Sequence, residues 1–325
     1  MKKIDTLNPW KTELKALSRY PWIWAVLGSI ILFILLSVFA GKFSMESFIT
    51  LATSATFLTI VATGQMLVIT TGEGAIDLSV STVITLSAFY TTGIANGSNG
   101  NLWLAIPAVL LTGVVIGLVN SFLILELKIP AIIATLGMNY IISTLILLYN
   151  KNFRVFDVAP FLTSVVRYKI FDFIPLMIII TLVIIIGYDF LLRKTRFGKS
   201  LLAVGQNREA AALAGIQVKI TQMIAYVMCS VLAAISGIFI SARVGGAFYG
   251  LGDSYQMQSI ASVVVGGTLI SGGKAVPIGT YFGALFLIML TTAMQVAGLK
   301  FGMQNVITGL FIVAVLFLAS KQSQQ

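Results

Sequence analysis

Apolar runs about as long as a bilayer is thick recur along this chain of 325 residues, separated by short stretches rich in Gly, Pro and charge. A helix rising about 1.5 Å per residue crosses a hydrocarbon core of roughly 30 Å with about 20 residues. The runs predict spans over 22–40, 47–70, 78–96, 102–125, 129–149, 173–192, 220–242, 259–270, 276–297 and 304–320. The eighth is too short to cross unless the polar stretch Asp253 to Gln258 is itself partly helical or the segment is re-entrant. Composition agrees, with 58% hydrophobic and 10% charged residues, where a soluble domain carries roughly 25% charged. The expected fold class is all-α, a polytopic membrane protein of about ten transmembrane helices. One membrane domain (22–320) lies between an N-terminal segment (1–21) and a tail (321–325).

The net charge of +10 is distributed unevenly. Lys2, Lys3, Lys11, Lys15 and Arg19 precede the first span in a stretch without the small-residue cleavage site of a secretory signal, so that span reads as a retained helix. With the N-terminus cytoplasmic, alternation puts Lys128, Arg193, Lys194, Arg196, Lys199, Arg208, Lys219, Lys274 and Lys321 on the same side, two-thirds of the 21 Lys and Arg in all. The positive-inside bias therefore predicts both termini in the cytoplasm. Membrane lipids, and not nucleic acid, are the expected surroundings of this basic chain.

The chemical repertoire is narrow. There is no histidine, and the single cysteine, Cys229, sits in an apolar run, so imidazole metal sites, His-based triads and internal disulfides are excluded. A phosphate-binding loop would need Gly-x4-Gly-Lys-Ser/Thr; Gly198-Lys199-Ser200 supplies its end, but Arg193 occupies the first glycine position. Gly273-Lys274 is followed by Ala275. Gly72-x-Gly74 begins like a dinucleotide fingerprint, yet Asp77 stands at the third glycine. No catalytic residue, metal or cofactor is expected on this chain, and any ATP-driven activity must use an ATPase on another chain.

Three acids come near the spans. Asp189 has Arg193 at i+4 and reads as a pair at the cytoplasmic face. Glu73 and Asp77 lie in TTGEGAIDLSVS, a loop where water reaches, in which Gly72 and Gly74 permit a tight turn before a helix. Asp77 is placed to accept from the backbone N–H of Ser79 or Val80 as a cap, a contribution of about 1 kcal/mol; substrate contact and a gating contact are the other readings. A second glycine-rich passage, VVVGGTLISGGKAVPIGTYFG, contains Gly266, Gly267, Gly272 and Gly273, and its Gly279 and Gly283 form a small-xxx-small face. Polar residues within spans are candidates for a translocation path: Gln65, Asn120, Asn139, Tyr140 and Gln258, with Gln295 and Asn305. Each matches the hydrogen bonding of a sugar hydroxyl, and each is equally suited to bonding between helices.

Two loops are long. The outer loop 150–172 mixes aromatics with charges and reads as an interfacial connector or a partner contact. The inner loop 193–219 has six basic residues and one acid, and its REAAALAG stretch predicts a short helix from about Asn207 to Leu213 closed by Gly215.

At these passages the chain resembles the permease subunits of ABC importers of the ribose, xylose, arabinose and galactoside type, from about residue 45 to 320. Three regions carry the resemblance. Gly64-Gln65-Met66 leading to Ile76-Asp77-Leu78-Ser79-Val80 is similar to the family's G-M-T-x-V-I-x-x-G-G-I-D-L-S-V-G. Ala203-Val204-Gly205-Gln206-Asn207, continuing through Ala210-Ala211 to Gly215-Ile216-x-Val218, is similar to A-x-G-G-N-x-x-A-A-x-x-x-G-I-x-V. The third runs from Ile260 through Gly266-Gly267-Thr268 and Gly272-Gly273 to Gly279-Thr280.

The resemblance implies a fold like that of the vitamin B12 importer permease and a pair formed with a second copy or a sister permease. It also implies a periplasmic or lipid-anchored solute-binding protein and a separate ATPase. The cytoplasmic helix that docks into the ATPase maps to Arg208, Glu209, Ala210, Ala211 and Gly215. The signature loops map to Gly72, Gly74, Asp77, Leu78, Ser79, Gly266, Gly267, Gly272 and Gly273. The expected function is the translocation path for a monosaccharide or similar uncharged polar solute. The sequence departs from the family pattern around Glu73, at Ser81 for the closing glycine, at Gln206 for the second glycine of its turn, and at Ala275. An ion-coupled carrier is the rival class, and it lacks the acid pair within spans that it would need.

Overall fold

The structure, a computed structural model, describes residues 22–39, 41, 44–152 and 157–322; the basic N-terminal segment lies outside the described residues. The chain order is α1 (Trp22–Phe39), α2 (Met45–Thr70), α3 (Val80–Ala95), α4 (Leu102–Leu125) and α5 (Ala131–Asn152), then α6 (Pro160–Arg167), a hairpin of β1 (Lys169–Ile170) and β2 (Ile174–Pro175), and α7 (Leu176–Lys194). It continues with α8 (Arg196–Gln206), α9 (Arg208–Leu213), α10 (Val218–Val244), α11 (Asp253–Val265), α12 (Pro277–Val296) and α13 (Phe301–Gln322). Seven helices among the described residues are long and apolar enough to cross a membrane: α1, α2, α4, α5, α7, α10 and α12.

The protein is an all-α membrane bundle, organised around two helices. In α2 the most apolar window is 94% buried, against 17% in α1 and 22% in α5 and α7, whose outward faces carry Ile, Leu and Phe suited to lipid. Burial on all sides explains why α2 tolerates so many hydroxyls: Thr59, Thr63 and Thr70 each donate to the carbonyl one turn earlier, at 2.6–2.8 Å. The partner of α2 is α10, which also packs on α3 and α4. Small residues set the close approach. Gly113 and Gly117 of α4 lie against the α10 backbone at Ser230–Val231 and Tyr226–Val227, and Gly64 of α2 lies against Cys229, which is fully buried. The expected Gly279–Gly283 face is likewise present, packing α12 on Gly266 and Ser262.

Two expected spans are corrected, and the two long loops carry more structure than the sequence shows. The third span is not a helix over 78–96: α3 has 16 residues, about 24 Å, and is preceded by an irregular stretch over 75–79. That stretch is almost wholly buried, the condition under which non-helical backbone is tolerated at depth. The eighth run forms α11 over Asp253–Val265 and not 259–270. Its polar first turns are helical, but it stops at Gly267 (φ +90°), where Gly267 N donates to Val264 O and Thr268 N to Val263 O in a Schellman arrangement. The outer loop contains α6 and the β1–β2 hairpin, because Pro160 starts a helix well and Phe171 and Asp172 (φ +53° and +57°) supply the turn. The inner loop holds two helices. Before the expected one comes α8, capped by Thr195 Oγ1 accepting from Gly198 N at 3.1 Å.

Candidate functional site

The three motif regions, far apart in sequence, meet at one end of the bundle through backbone contact. Thr70 O, at the end of α2, accepts from Gly273 N at 3.0 Å. A Cβ on Gly272 would stand 2.5 Å from Gly72 Cα and 2.8 Å from Gly205 O, and one on Gly205 would overlap Thr70 O and Gly273 N. Glycine is required here because three main chains touch. Gln206, which departs from the family pattern, fits because Gly273 leaves room beside its Cγ.

Beyond this junction the chain reverses through Gly72, Glu73 and Gly74, all with φ between +54° and +81°. The left-handed conformation is uncommon for a residue such as glutamate, and it turns the Glu73 side chain outward to meet Arg208 Nη1 at 2.9 Å. The extended stretch then runs back into the bundle. Asp77 is buried, contrary to the expectation that water reaches it. Its Oδ1 accepts from Ser79 N at 2.8 Å, the anticipated cap contact, and from Ser79 Oγ at 2.6 Å. The helix itself starts later, at Val80.

Three of the residues expected on a solute path hydrogen-bond to this stretch. Asn120 Nδ2 donates to Ser79 Oγ at 2.9 Å, and Asn139 Nδ2 to Leu78 O at 2.7 Å and Ser81 Oγ at 3.0 Å. In the amide orientation that satisfies both ends, Gln65 donates to Asp77 O at 3.3 Å and accepts from Asp77 N at 3.1 Å. Thr135 Oγ1 accepts from Leu78 N at 3.0 Å. Gln256 of α11, not singled out in the sequence, donates to Leu78 O at 3.1 Å. Residues 77–79 are thus held by α2, α4, α5 and α11 together. Tyr140 lies apart, 67% exposed among the apolar residues of α5.

The short helix α9 projects from the junction. Asn207 Oδ1 caps it by accepting from Ala210 N at 2.8 Å, and Gly215 (φ +80°) closes it, with Ile216 N donating to Ala211 O. Arg208 is tied to Glu73 and Ala211 faces inward, 4% exposed. Glu209, Ala210, Ala212 and Gly215 are exposed, as is Leu213 at 90%. Leu213 escaped sequence reading because it looks like one more helix-former before a closing glycine. At the same end, Lys219 pairs with Glu126 at 2.8 Å, and the expected Asp189–Arg193 pair forms at 2.9 Å.

A polar cavity of about 470 Å³ lies between α11, α12 and α13. Gln258 lines it, with Gln295, Asn305 and Asp253.

The profile of the family described as branched-chain amino acid transport system / permease component matches residues 47–320. The chain belongs to this permease family. It is 31% identical over 293 residues to the autoinducer 2 import system permease protein LsrC of Yersinia pestis (strain Pestoides F), covering 90% of this chain and 82% of the relative. The LsrC proteins of Yersinia pestis bv. Antiqua (strain Angola) and Yersinia pseudotuberculosis serotype O:1b (strain IP 31758) match to the same extent. No solved structure matches. The permease is a transmembrane subunit of an ABC importer and a multi-pass protein of the inner membrane.

Proposed function

We propose that this permease forms the translocation path for a small, uncharged, hydroxyl-rich solute, a monosaccharide or an autoinducer 2-like molecule. ATP is hydrolysed on a separate ATPase chain that grips α9, and an extracytoplasmic binding protein delivers the solute. Two permease copies, or this chain and a sister, enclose the path, with both termini in the cytoplasm. No cofactor is needed on this chain. The observation that carries the reading is α9 itself: a capped helix based on the glycine junction, presenting an almost fully exposed Leu213 to whatever binds there. An exposed leucine among exposed alanines is apolar surface that a partner gains by burying, and the small alanines let the partner approach closely. ATP binding shifts the packing of the bundle only through a difference in how the ATPase holds α9 in the two states.

The test is purification of the tagged chain from membranes in mild detergent, with its companions identified by mass spectrometry. A P-loop ATPase is expected to co-purify and to be lost in Leu213→Asp, with membrane abundance unchanged. Leu213 is a cleaner site than Ala211, which is buried, or Gly215, whose positive φ strains any side chain. A chain that purifies without an ATPase and takes up solute under an ion gradient would overturn the importer mechanism in favour of a carrier.

A further inference from the structure

Among the polar side chains of the membrane helices, two groups differ in what they bond to. Gln65, Asn120, Asn139 and Gln256 are spent on the 77–81 stretch. The side-chain amides of Gln258, Gln295 and Asn305 make no hydrogen bond among the described residues, and all three line one cavity of about 470 Å³ between α11, α12 and α13. Thr291, whose hydroxyl donates to Leu287 O and so keeps acceptor capacity, lines it as well. Gln295 lies in the last turn of α12 and Asn305 one turn into α13, on either side of the 297–300 connection, so the groove opens at one end of the bundle, and unpaired amides there are costly unless a polar partner meets them. The groove must therefore meet water, a ligand or another polar surface.

Building on the permease reading above, we infer that this groove is one half of the solute site and selects an uncharged ligand with several hydroxyls. Three amides offer donors and acceptors together, which matches hydroxyl groups that do both. The only ionisable groups among the described lining residues are Asp253 and Tyr255, with no Lys or Arg, so an anionic solute has no counter-charge and faces a carboxylate. Tyr255, Met257 and Ile288 supply apolar surface for the C–H faces of a ring. The volume falls within the roughly 300–1,000 Å³ usual for small-molecule sites. Gln295 and Asn305 are exposed on the open side, so the site is incomplete until a second permease copy closes it.

Two measurements on the assembled importer test this. In a Cys229→Ser background, Gln295→Cys and Asn305→Cys are expected to react with a hydrophilic maleimide at least tenfold faster than Leu310→Cys, which lies on the outer face of α13. Equal, slow labelling at all three would show a dry face and overturn the proposal. Second, Gln258→Leu, Gln295→Leu and Asn305→Leu, which keep side-chain size and suit lipid, are each expected to cut uptake of autoinducer 2, D-ribose or D-xylose, whichever the wild-type importer moves fastest, at least tenfold, with ATPase co-purification unchanged. Uptake within twofold of wild type in all three overturns it. A chain that never carries an ATPase sinks the importer mechanism and leaves the labelling result to decide the groove.

Discussion

Replacing Gly205 by alanine separates a real three-chain contact from a loose one, because the two terms of its effect have opposite sign. Gly205 is the penultimate residue of α8, and helix propensity alone favours alanine there by about 1 kcal/mol. Against that, the new methyl would overlap Thr70 O and Gly273 N, both main-chain atoms, so relief requires moving a backbone. Overpacking of this kind costs about 1–3 kcal/mol. The shift also breaks the 3.0 Å bond from Gly273 N to Thr70 O, and a buried donor left without an acceptor costs about 1–3 kcal/mol. The net is a destabilisation of about 1–5 kcal/mol. At roughly 2 °C per kcal/mol for a chain of this size, the midpoint near 3 kcal/mol is a fall of about 6 °C in melting temperature. The assay is thermal unfolding of the purified protein in detergent, followed by tryptophan fluorescence and by the monodisperse fraction on size exclusion. Gly137→Ala is the control: it lies within α5 with nothing inside 4 Å of its added carbon, and should be neutral or slightly stabilising. A Gly205→Ala variant that melts with or above the Gly137→Ala control would refute the claim that main-chain contact dictates glycine at the junction.

Asp77 and the Glu73–Arg208 pair give two further tests. Asp77→Asn keeps an acceptor for Ser79 and sets a donor beside Asn120, whose Oδ1, like Asp77 Oδ2, has no partner, so melting is expected to stay within about 2 °C of wild type or rise. Asp77→Leu strands Ser79 N and Oγ and is expected to cost about 2–4 kcal/mol by the same melt; equal melting of the two variants would contradict the capping role. Glu73→Ala removes an exposed ion pair worth at most about 1 kcal/mol. Its melting should hardly move, while ATPase co-purification measured against salt should weaken if the pair sets the orientation of α9.

What could be read from the sequence follows from where the physics is local. The long spans were legible because lipid-facing and core-facing residues are both apolar over about 20 positions, and the α9 boundaries because Asn207 and Gly215 act within one turn of themselves. The short α3 and α11 were not, because apolarity continues through the irregular 75–79 stretch and through Gly266–Gly267, where only burial by other helices makes non-helical backbone tolerable. The amides show the same limit. Asn139 and Gln295 look alike in sequence, and which of them is spent depends on Leu78 O, 61 residues from Asn139 and supplied by another element. Gly72 reads in sequence as a turn residue and Gly205 and Gly272 only as members of motifs, because the main-chain contacts that require all three come from distant segments.

The two ends of the proposed machine are joined by a short series of contacts, and one residue in it can be cut without touching either end. Arg208 of α9 holds Glu73; the chain from Gly74 to Leu78 runs inward; Leu78 O accepts from Gln256 Nε2, and Ser81 Oγ donates to Gln256 Oε1 at 3.4 Å. Gln256 is on α11, where Asp253, Met257 and Gln258 line the groove. Spatial continuity alone does not establish coupling; a perturbation that separates the two ends does. Gln256→Leu leaves Leu78 O with its bond from Asn139, so the loop keeps an anchor and the loss in stability should stay near 1 kcal/mol. It does not alter α9, so the ATPase should still co-purify and hydrolyse ATP at close to the wild-type rate. Uptake, however, should fall at least fivefold, because closure of the ATPase no longer carries α11 with it. Measured in the same proteoliposomes, the ratio of solute moved to ATP hydrolysed is the decisive number. If that ratio is unchanged in Gln256→Leu, α11 is moved by some other contact, and the close packing of α12 on Gly266 becomes the stronger candidate for carrying the motion.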